Sequence, residues 1–301
     1  MIYGENLTLV GNGATFIKSS LKGGYWGDAF LVAGLVPGYL YPQHSQKYDG
    51  MEMKPARNIV ISDIAVKHTT HVENMNCFGI TNVDNLLLKN VTCENAPQTS
   101  FAIISYYNVR VDETPRATRI VLDTTNSIRS KKHAYRVISY ADGAESHQQV
   151  LDVTIKNCKS VGVREPESNA KNLETLGQKL NLWYRPAYNS AKLKVNNCSF
   201  DQSGKVLVSA AKVGSFELSQ IVIDGGLRIN NTDSVVNIEN NKIRCSLPNG
   251  SSAIFLKGML SEGSFFNNKL YSYKEGCVIV ESSENFRDSP NQVMVLQPSK
   301  K

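Results

Sequence analysis

What this 301-residue chain lacks narrows its class. No apolar run approaches the ~18 residues a membrane-crossing helix needs, so no membrane partner is expected. None of the six cysteines sits in a C-x-x-C pair, and no Cys/His grouping has zinc spacing. Six cysteines in this length are too sparse for a disulfide-built scaffold. Cys77, Cys93, Cys158, Cys198, Cys245 and Cys277 therefore read as buried free thiols. The opening "MIYGENLTLVGNGATF" lacks a basic segment followed by an apolar one, so it does not read as a secretory leader. It reads as a strand and a turn, which suggests a chain beginning inside a longer repeating architecture.

Charge of one sign is also missing as a block. Lys and Arg number 33 against 27 Asp and Glu, a net charge of +6. That balance suits an acidic partner such as an anionic polysaccharide. The cations are scattered, which argues against a nucleic-acid footprint. No cofactor motif appears. His68 and His71 in "HTTH" would face opposite sides of a strand, so a shared metal is not expected.

What the chain has is a phrase that returns. "NLLLKNVTC" ends a strand at Asn90, "VTIKNCKS" at Asn157, "LKVNNCSF" at Asn197, "VNIENNKI" at Asn241 and "SFFNNKL" at Asn268. Looser copies end at Asp63, Gln220 and Gly11. From Asp63 to Asn268 the steps are 27, 67, 40, 23, 21 and 27 residues. Strands of Val, Ile and Leu at this period, without a helical pattern or a leucine-rich signature, predict a β-solenoid. Asparagine tolerates the left-handed backbone of a sharp corner, and stacked copies can link their amides into a ladder.

The pattern resembles the right-handed parallel β-helix of the pectate-lyase-like superfamily, over about residues 6 to 295. The resemblance implies an all-β, single-stranded solenoid forming one domain over 1–301, of roughly nine to eleven coils. Insertions are expected near 34–58 and 163–184, the second with a short helix from Asn169 to Lys179. The nearest likeness within the superfamily is to bacteriophage tailspike and depolymerase domains. That implies a homotrimer, a bacterial polysaccharide partner, and a place on the virion tail or outside the cell. A secreted bacterial lyase or hydrolase and a non-catalytic glycan-binding β-helix are the alternatives.

A second family of strands, "FAIISYYN", "YRVISYAD" and "KLNLWYRP", aligns Ser105, Ser139 and Trp183, and likewise Tyr106, Tyr140 and Tyr184. Ile104, Ile138 and Leu182 are then expected inside, with the three tyrosines as an aromatic stack. Tyr107, Trp183 and Arg185 are expected outside. With Arg136 and Tyr188 they form the expected substrate-binding platform, because pyranose faces stack on indole and carboxylates pair with Arg. Glycoside hydrolysis calls for paired carboxylates, which adjacent coils ~4.8 Å apart supply. Asp142 and Glu145, with Asp112 and Glu113, are the expected catalytic set. A lyase would instead use a cationic base, with Arg110, Arg136 and Arg185 at hand. "NTD" at 231–233 matches one polygalacturonase motif, but its partner motifs (Asp-Asp, G-H-G and R-I-K) are missing, so it reads as a turn.

Overall fold

The computed structural model describes residues 2, 4–19, 28–33, 56–69, 75–81, 83–108, 116–142, 149–166, 177–185, 191–208, 215–230, 235–244, 254–259, 263–272, 278–282, 286–288 and 291–295. These residues are all-β, without a helix, and every strand pairing is parallel. Two parallel sheets curl around one apolar interior, a solenoid-like arrangement consistent with a parallel β-helix.

The first sheet begins with four long strands that bend in the middle: β1 (Glu5–Lys18), β3 (Ala56–His68), β5 (Val83–Glu94) and β7 (Arg116–Ile128). Beyond β7 the bend becomes a break, and the sheet divides into two branches. Before the corner run β9 (Gln149–Lys156), β12 (Ala191–Asn196), β15 (Ser215–Ser219), β18 (Val235–Glu239), β21 (Gly263–Phe266) and β24 (Phe286–Asp288). After it run β10 (Lys159–Val161), β13 (Ser199–Phe200), β16 (Val222–Ile223), β19 (Lys242–Arg244), β22 (Lys269–Ser272) and β25 (Gln292–Val295). The second sheet has nine strands: β2 (Phe30–Ala33), β4 (Phe78–Thr81), β6 (Thr99–Asn108), β8 (His133–Asp142), β11 (Leu180–Arg185), β14 (Lys205–Val208), β17 (Leu227–Asn230), β20 (Ile254–Met259) and β23 (Val278–Ser282).

The corner is one residue with positive φ in each turn of the chain. Asp63, Asn90, Thr124, Asn157, Asn197, Gln220, Asn240 and Asn267 all lie between 50° and 59°. Thr124 is a corner that the sequence pattern hid, and it splits the 67-residue step. β-Branched residues rarely take this conformation. Its neighbour Asp123 does the ladder's work instead, accepting from Asn157 Nδ2 at 2.8 Å. Further amide links join Asn90 to Asp63 (2.7 Å), Asn197 to Asn157 (2.8 Å) and Asn267 to Asn240 (2.6 Å). A second left-handed ladder stands five residues earlier, where Asn58 donates to Asn6 at 2.9 Å and Asn85 to Asn58 at 2.8 Å.

Two expected corner residues move by one. Asn240 and Asn267 turn the chain, whereas Asn241 and Asn268 point inward and are buried. There they form an internal ladder: Asn241 Nδ2 donates to Asn268 Oδ1, and Asn268 Nδ2 to Asn291 Oδ1, both at 3.0 Å. Their second amide protons reach Leu218 O (3.0 Å) and Ile238 O (2.8 Å). In the first turn, a bulge between Val10 and Ala14 leaves Asn12 and Gly13, not Gly11, at positive φ.

The same inward position holds Cys158 and Cys198 in neighbouring turns, and these are disulfide-bonded with Cα atoms 4.5 Å apart. Cys77 and Cys93 form a second disulfide across the interior, 6.1 Å between Cα atoms. This corrects the free-thiol expectation for four cysteines: stacking brings the equivalent Cys158 and Cys198 within bonding reach, and the narrow interior does so for Cys77 and Cys93, without any C-x-x-C spacing. Cys245 and Cys277 lie outside the described residues.

Of the expected tyrosine stack, Tyr184 is inward and stacks on Phe216 at 5.7 Å, while the Tyr106 and Tyr140 side chains lie outside the described residues; the interior also holds an aromatic stack on other positions. Phe30, Phe78, Phe101 and Tyr135, on β2, β4, β6 and β8, stack with centroids 5.1, 5.6 and 5.2 Å apart. Tyr135 donates its hydroxyl proton to Thr125 O at 2.8 Å, so the buried phenol is satisfied. Two strands begin inside the segments expected as insertions, β3 at Ala56 and β11 at Leu180; residues 34–55 lie outside the described part. Residues 169–176 of the expected helix lie outside the described part.

Outward side chains form columns in which charges alternate. Glu5, Arg57 and Asp84 are successive register partners, as are Arg119, Asp152 and Lys192. Arg119 also bridges to Asp84 at 2.8 Å, and Lys194 to Glu217 at 2.8 Å.

The inner ladder should be far less tolerant than the corner beside it. Asn268→Ala strands the Asn241 amide and Ile238 O in the interior, and should cost about 2–4 kcal/mol. Asn267→Gly keeps the left-handed backbone, and should cost under about 1 kcal/mol. Chemical denaturation of both variants checks this, and equal losses would refute it.

Candidate functional site

The outward face of the nine-stranded sheet follows from strand alternation. Tyr135 and Val137, Leu182 and Tyr184, Val206 and Val208, and Leu227 and Ile229 all belong to the interior cluster. Arg136, Ile138, Trp183, Arg185, Lys205, Leu207 and Arg228 therefore point out. Register aligns Arg136, Trp183, Leu207 and Arg228 in one column across β8, β11, β14 and β17.

This register corrects two expectations. Trp183 pairs with Arg136 and not with Ser139, a slip of three residues. Ile138 faces outward beside Trp183, and its register partner Ile104 shares that face, while Leu182 is inward as expected. On its β14 side, β11 shifts register between Leu180 and Leu182, and Asn181 is buried there. Asn181 accepts from Ser160 Oγ at 2.6 Å and donates to Asp201 O and Gly204 O.

Trp183 is not an open platform. It is 1% exposed, packed with Ile138, Leu180 and Leu207. The Arg136 guanidinium lies 5.0 Å over its ring, and His133 lies 5.5 Å away. The indole is a small outer core that fixes Arg136, an arrangement that a cation–π contact stabilises. Arg136 and Arg185 are partly exposed. Tyr107 lies in β6 and Asp142 ends β8; their side chains, with the whole of Asp112, Glu113, Glu145 and Tyr188, lie outside the described residues. The backbone does place Asn108 and Asp142 as register partners, so the connections carrying the expected carboxylates leave adjacent rungs.

Two cations on this face went unnoticed in the sequence. Lys205 and Arg228 were legible from the alternation of "KVLV" and "LRIN", where every second residue is apolar and inward. Burial lowers the Lys205 pKa, and the charge of nearby Arg228 lowers it further. Among the described side chains of β8, β11, β14 and β17, the charged ones are Arg136, Arg185, Lys205 and Arg228, all positive. Adjacent rungs are ~4.8 Å apart, close to the length of one sugar along an extended polysaccharide. Among the described residues, no group of three His, Cys, Asp or Glu could hold a metal ion.

A second titratable cluster lies at the start of the sheet. Asp28 Oδ1 accepts from Asn76 N (2.9 Å) and Asn76 Nδ2 (3.0 Å). Gly79 makes room for this carboxyl, because a Cβ there would lie 1.8 Å from Asp28 Oδ2. Burial raises the Asp28 pKa to about 6. His68 is 2% exposed; burial, then the charge of Lys18, lowers it to about 4.

These two groups pull stability in opposite directions. The Asp28 contribution is complete below the usual carboxyl pKa near 3.8 and is lost as pH rises through about 6. The His68 contribution is complete above 6.5 and is lost as pH falls through about 4. Acidification from pH 6.5 to 4 should therefore destabilise Asp28→Asn more steeply than the parent, and His68→Gln less steeply. Denaturation midpoints across that range test it, and parallel profiles would refute it.

A scan against protein-family models, a search of curated proteins and a search of solved structures each find no match for this chain.

Proposed function

We propose that the protein is a pectate-lyase-like, right-handed β-helix that holds an acidic bacterial surface polysaccharide across the nine-stranded sheet and cleaves it. The observation that carries this reading is the all-positive set of Arg136, Arg185, Lys205 and Arg228 on four adjacent strands. Such a face attracts a polyanion and pairs its carboxylates, while the stacked rungs keep the spacing rigid. In this reading the polymer runs along the rod, across the strands.

For the cleavage step, hydrolysis assigns the acid and the base or nucleophile to Asp142 and Glu145, with Asp112 and Glu113 on the neighbouring connection. A specific observation favours a second chemistry. The lowered Lys205 pKa makes its neutral amine more accessible, which suits a base for β-elimination. Lys205 then takes the proton beside the uronate carboxylate, Arg228 pairs with that carboxylate, and the glycosidic C–O bond breaks to leave a carbon–carbon double bond. The departing oxygen takes up a proton from solvent. In a tailspike-like setting the working unit is a homotrimer on a virion tail.

Incubation with acidic capsule, O-antigen and pectin, read by reducing ends and by ultraviolet absorbance of unsaturated uronates, tests the proposal. Hydrolysis yields reducing ends alone, and Asp142→Asn should abolish them while binding persists. Elimination yields both signals, and Lys205→Ala should abolish them. Arg228→Glu should weaken binding about tenfold. Absence of both binding and cleavage with all three substrates would refute the reading, and sedimentation separates trimer from monomer.

A further inference from the structure

We infer a separate acidic-saccharide site, centred on Tyr271, on the outward side of the branch after the corner. Lys242 and Lys269 are register partners there and both are exposed. Two residues further, Arg244 pairs in register with Tyr271. Lys242 Nζ lies 5.3 Å from the Tyr271 ring centroid and Arg244 Cζ 5.9 Å. Two cations thus converge on one phenol, with a third alongside.

This arrangement departs from the alternation of sign seen in other charged columns among the described residues. Glu5–Arg57–Asp84, Arg119–Asp152–Lys192 and Lys194–Glu217 all alternate in sign. Lys242–Lys269 is the one in-register pair of like charge among the described strand pairings. Like charges directly opposite on neighbouring strands are destabilising, and a bound anion removes that cost. Arg244 has a counter-charge in Asp224, 3.6 Å from its Nε, which holds the guanidinium beside the ring.

The size of the patch selects the ligand. In the lysine column Val222 precedes Lys242 and Gln292 follows Lys269, so the positive stretch covers two rungs, ~4.8 Å apart. A single-stranded nucleic acid needs a cationic track over several nucleotides. One or two sugar residues fit. A uronate or sialate carboxylate sits between the two lysines, and the apolar ring face lies against Tyr271. The site is on a different sheet from the face assigned above and does not depend on that assignment.

The test uses the whole chain and galacturonate, glucuronate and sialate oligosaccharides, with a neutral maltooligosaccharide, inorganic phosphate and a short single-stranded oligonucleotide as comparisons. Binding is read by calorimetry. Lys242→Glu restores alternation with Lys269, so its melting temperature should rise while acidic-saccharide affinity at this site falls about tenfold. Tyr271→Ala should cut saccharide affinity and leave phosphate affinity unchanged. Lys205→Glu with Arg228→Glu should leave the site intact, which separates it from the other face. The inference is overturned if Lys242→Glu leaves acidic-saccharide binding unchanged, if no acidic saccharide binds, or if phosphate or the oligonucleotide binds there as tightly.

Discussion

Everything in this rod depends on one residue per turn holding a left-handed backbone in register with its copies above and below. A corner with φ near 55° reverses the side to which the next side chain points, so the chain turns without a loop. Asparagine is suited to this because it tolerates the conformation and its amide can link to the rung above and the rung below. The amide links do more than add stability. A one-residue slip would move a rung's whole apolar set outward, and the ladder makes such a slip lose a hydrogen bond at each corner as well.

Fixed register turns single residues into columns, and the chemistry of the surface follows. A lysine has its rung partners ~4.8 Å away on either side, whatever the sequence distance. Most columns therefore alternate in sign or pass through neutral residues. Among the described residues, the outward face of β8, β11, β14 and β17 and the Tyr271 patch depart from that habit in the same direction, toward neighbouring positive charges. The scaffold offers fixed spacing, which suits a repeating polymer better than a compact small molecule.

The fold was legible where the polar residue stood alone. "KNV" and "KNC" name their corners at Asn90 and Asn157. It was ambiguous where two asparagines adjoin. Asn196–Asn197 turns on its second member, whereas Asn240–Asn241 and Asn267–Asn268 turn on the first, because Asn241 and Asn268 find buried partners and Asn196 does not need one. Thr124 was illegible as a corner, since its type argues against that backbone and Asp123 supplies the ladder. The site was misread because the pairing of β8 with β11 sets Trp183 opposite Arg136, three residues from the Ser139 that matching the two phrases selects. Ile138, Leu180 and Leu207 pack around the indole and make the expected sugar platform an outer core. The cations were readable in principle, because Lys205 and Arg228 need only the alternation of their own short strands.

The inward residue after each corner shows how one geometric demand is met by different chemistry. Along the rod it is Ile64, Val91, Thr125, Cys158, Cys198, Ile221, Asn241 and Asn268. Where it is Asn, its Oδ1 accepts the backbone N–H of the previous rung, at 2.9 Å from Ile221 and 3.0 Å from Asn241. Where it is Cys198, Sγ takes the same N–H from Cys158 at 3.2 Å while bonding covalently to that rung. The apolar versions leave rung-to-rung cohesion to the long strands β3 and β5, whose hydrogen bonding runs through the corner. Among the described residues, the inward Asn241–Asn268–Asn291 ladder and the Cys158–Cys198 disulfide stand beyond β7, where each strand is broken at the corner and its two halves are short. A broken rung has fewer backbone bonds to its neighbours, and the inward corner residue makes up the difference.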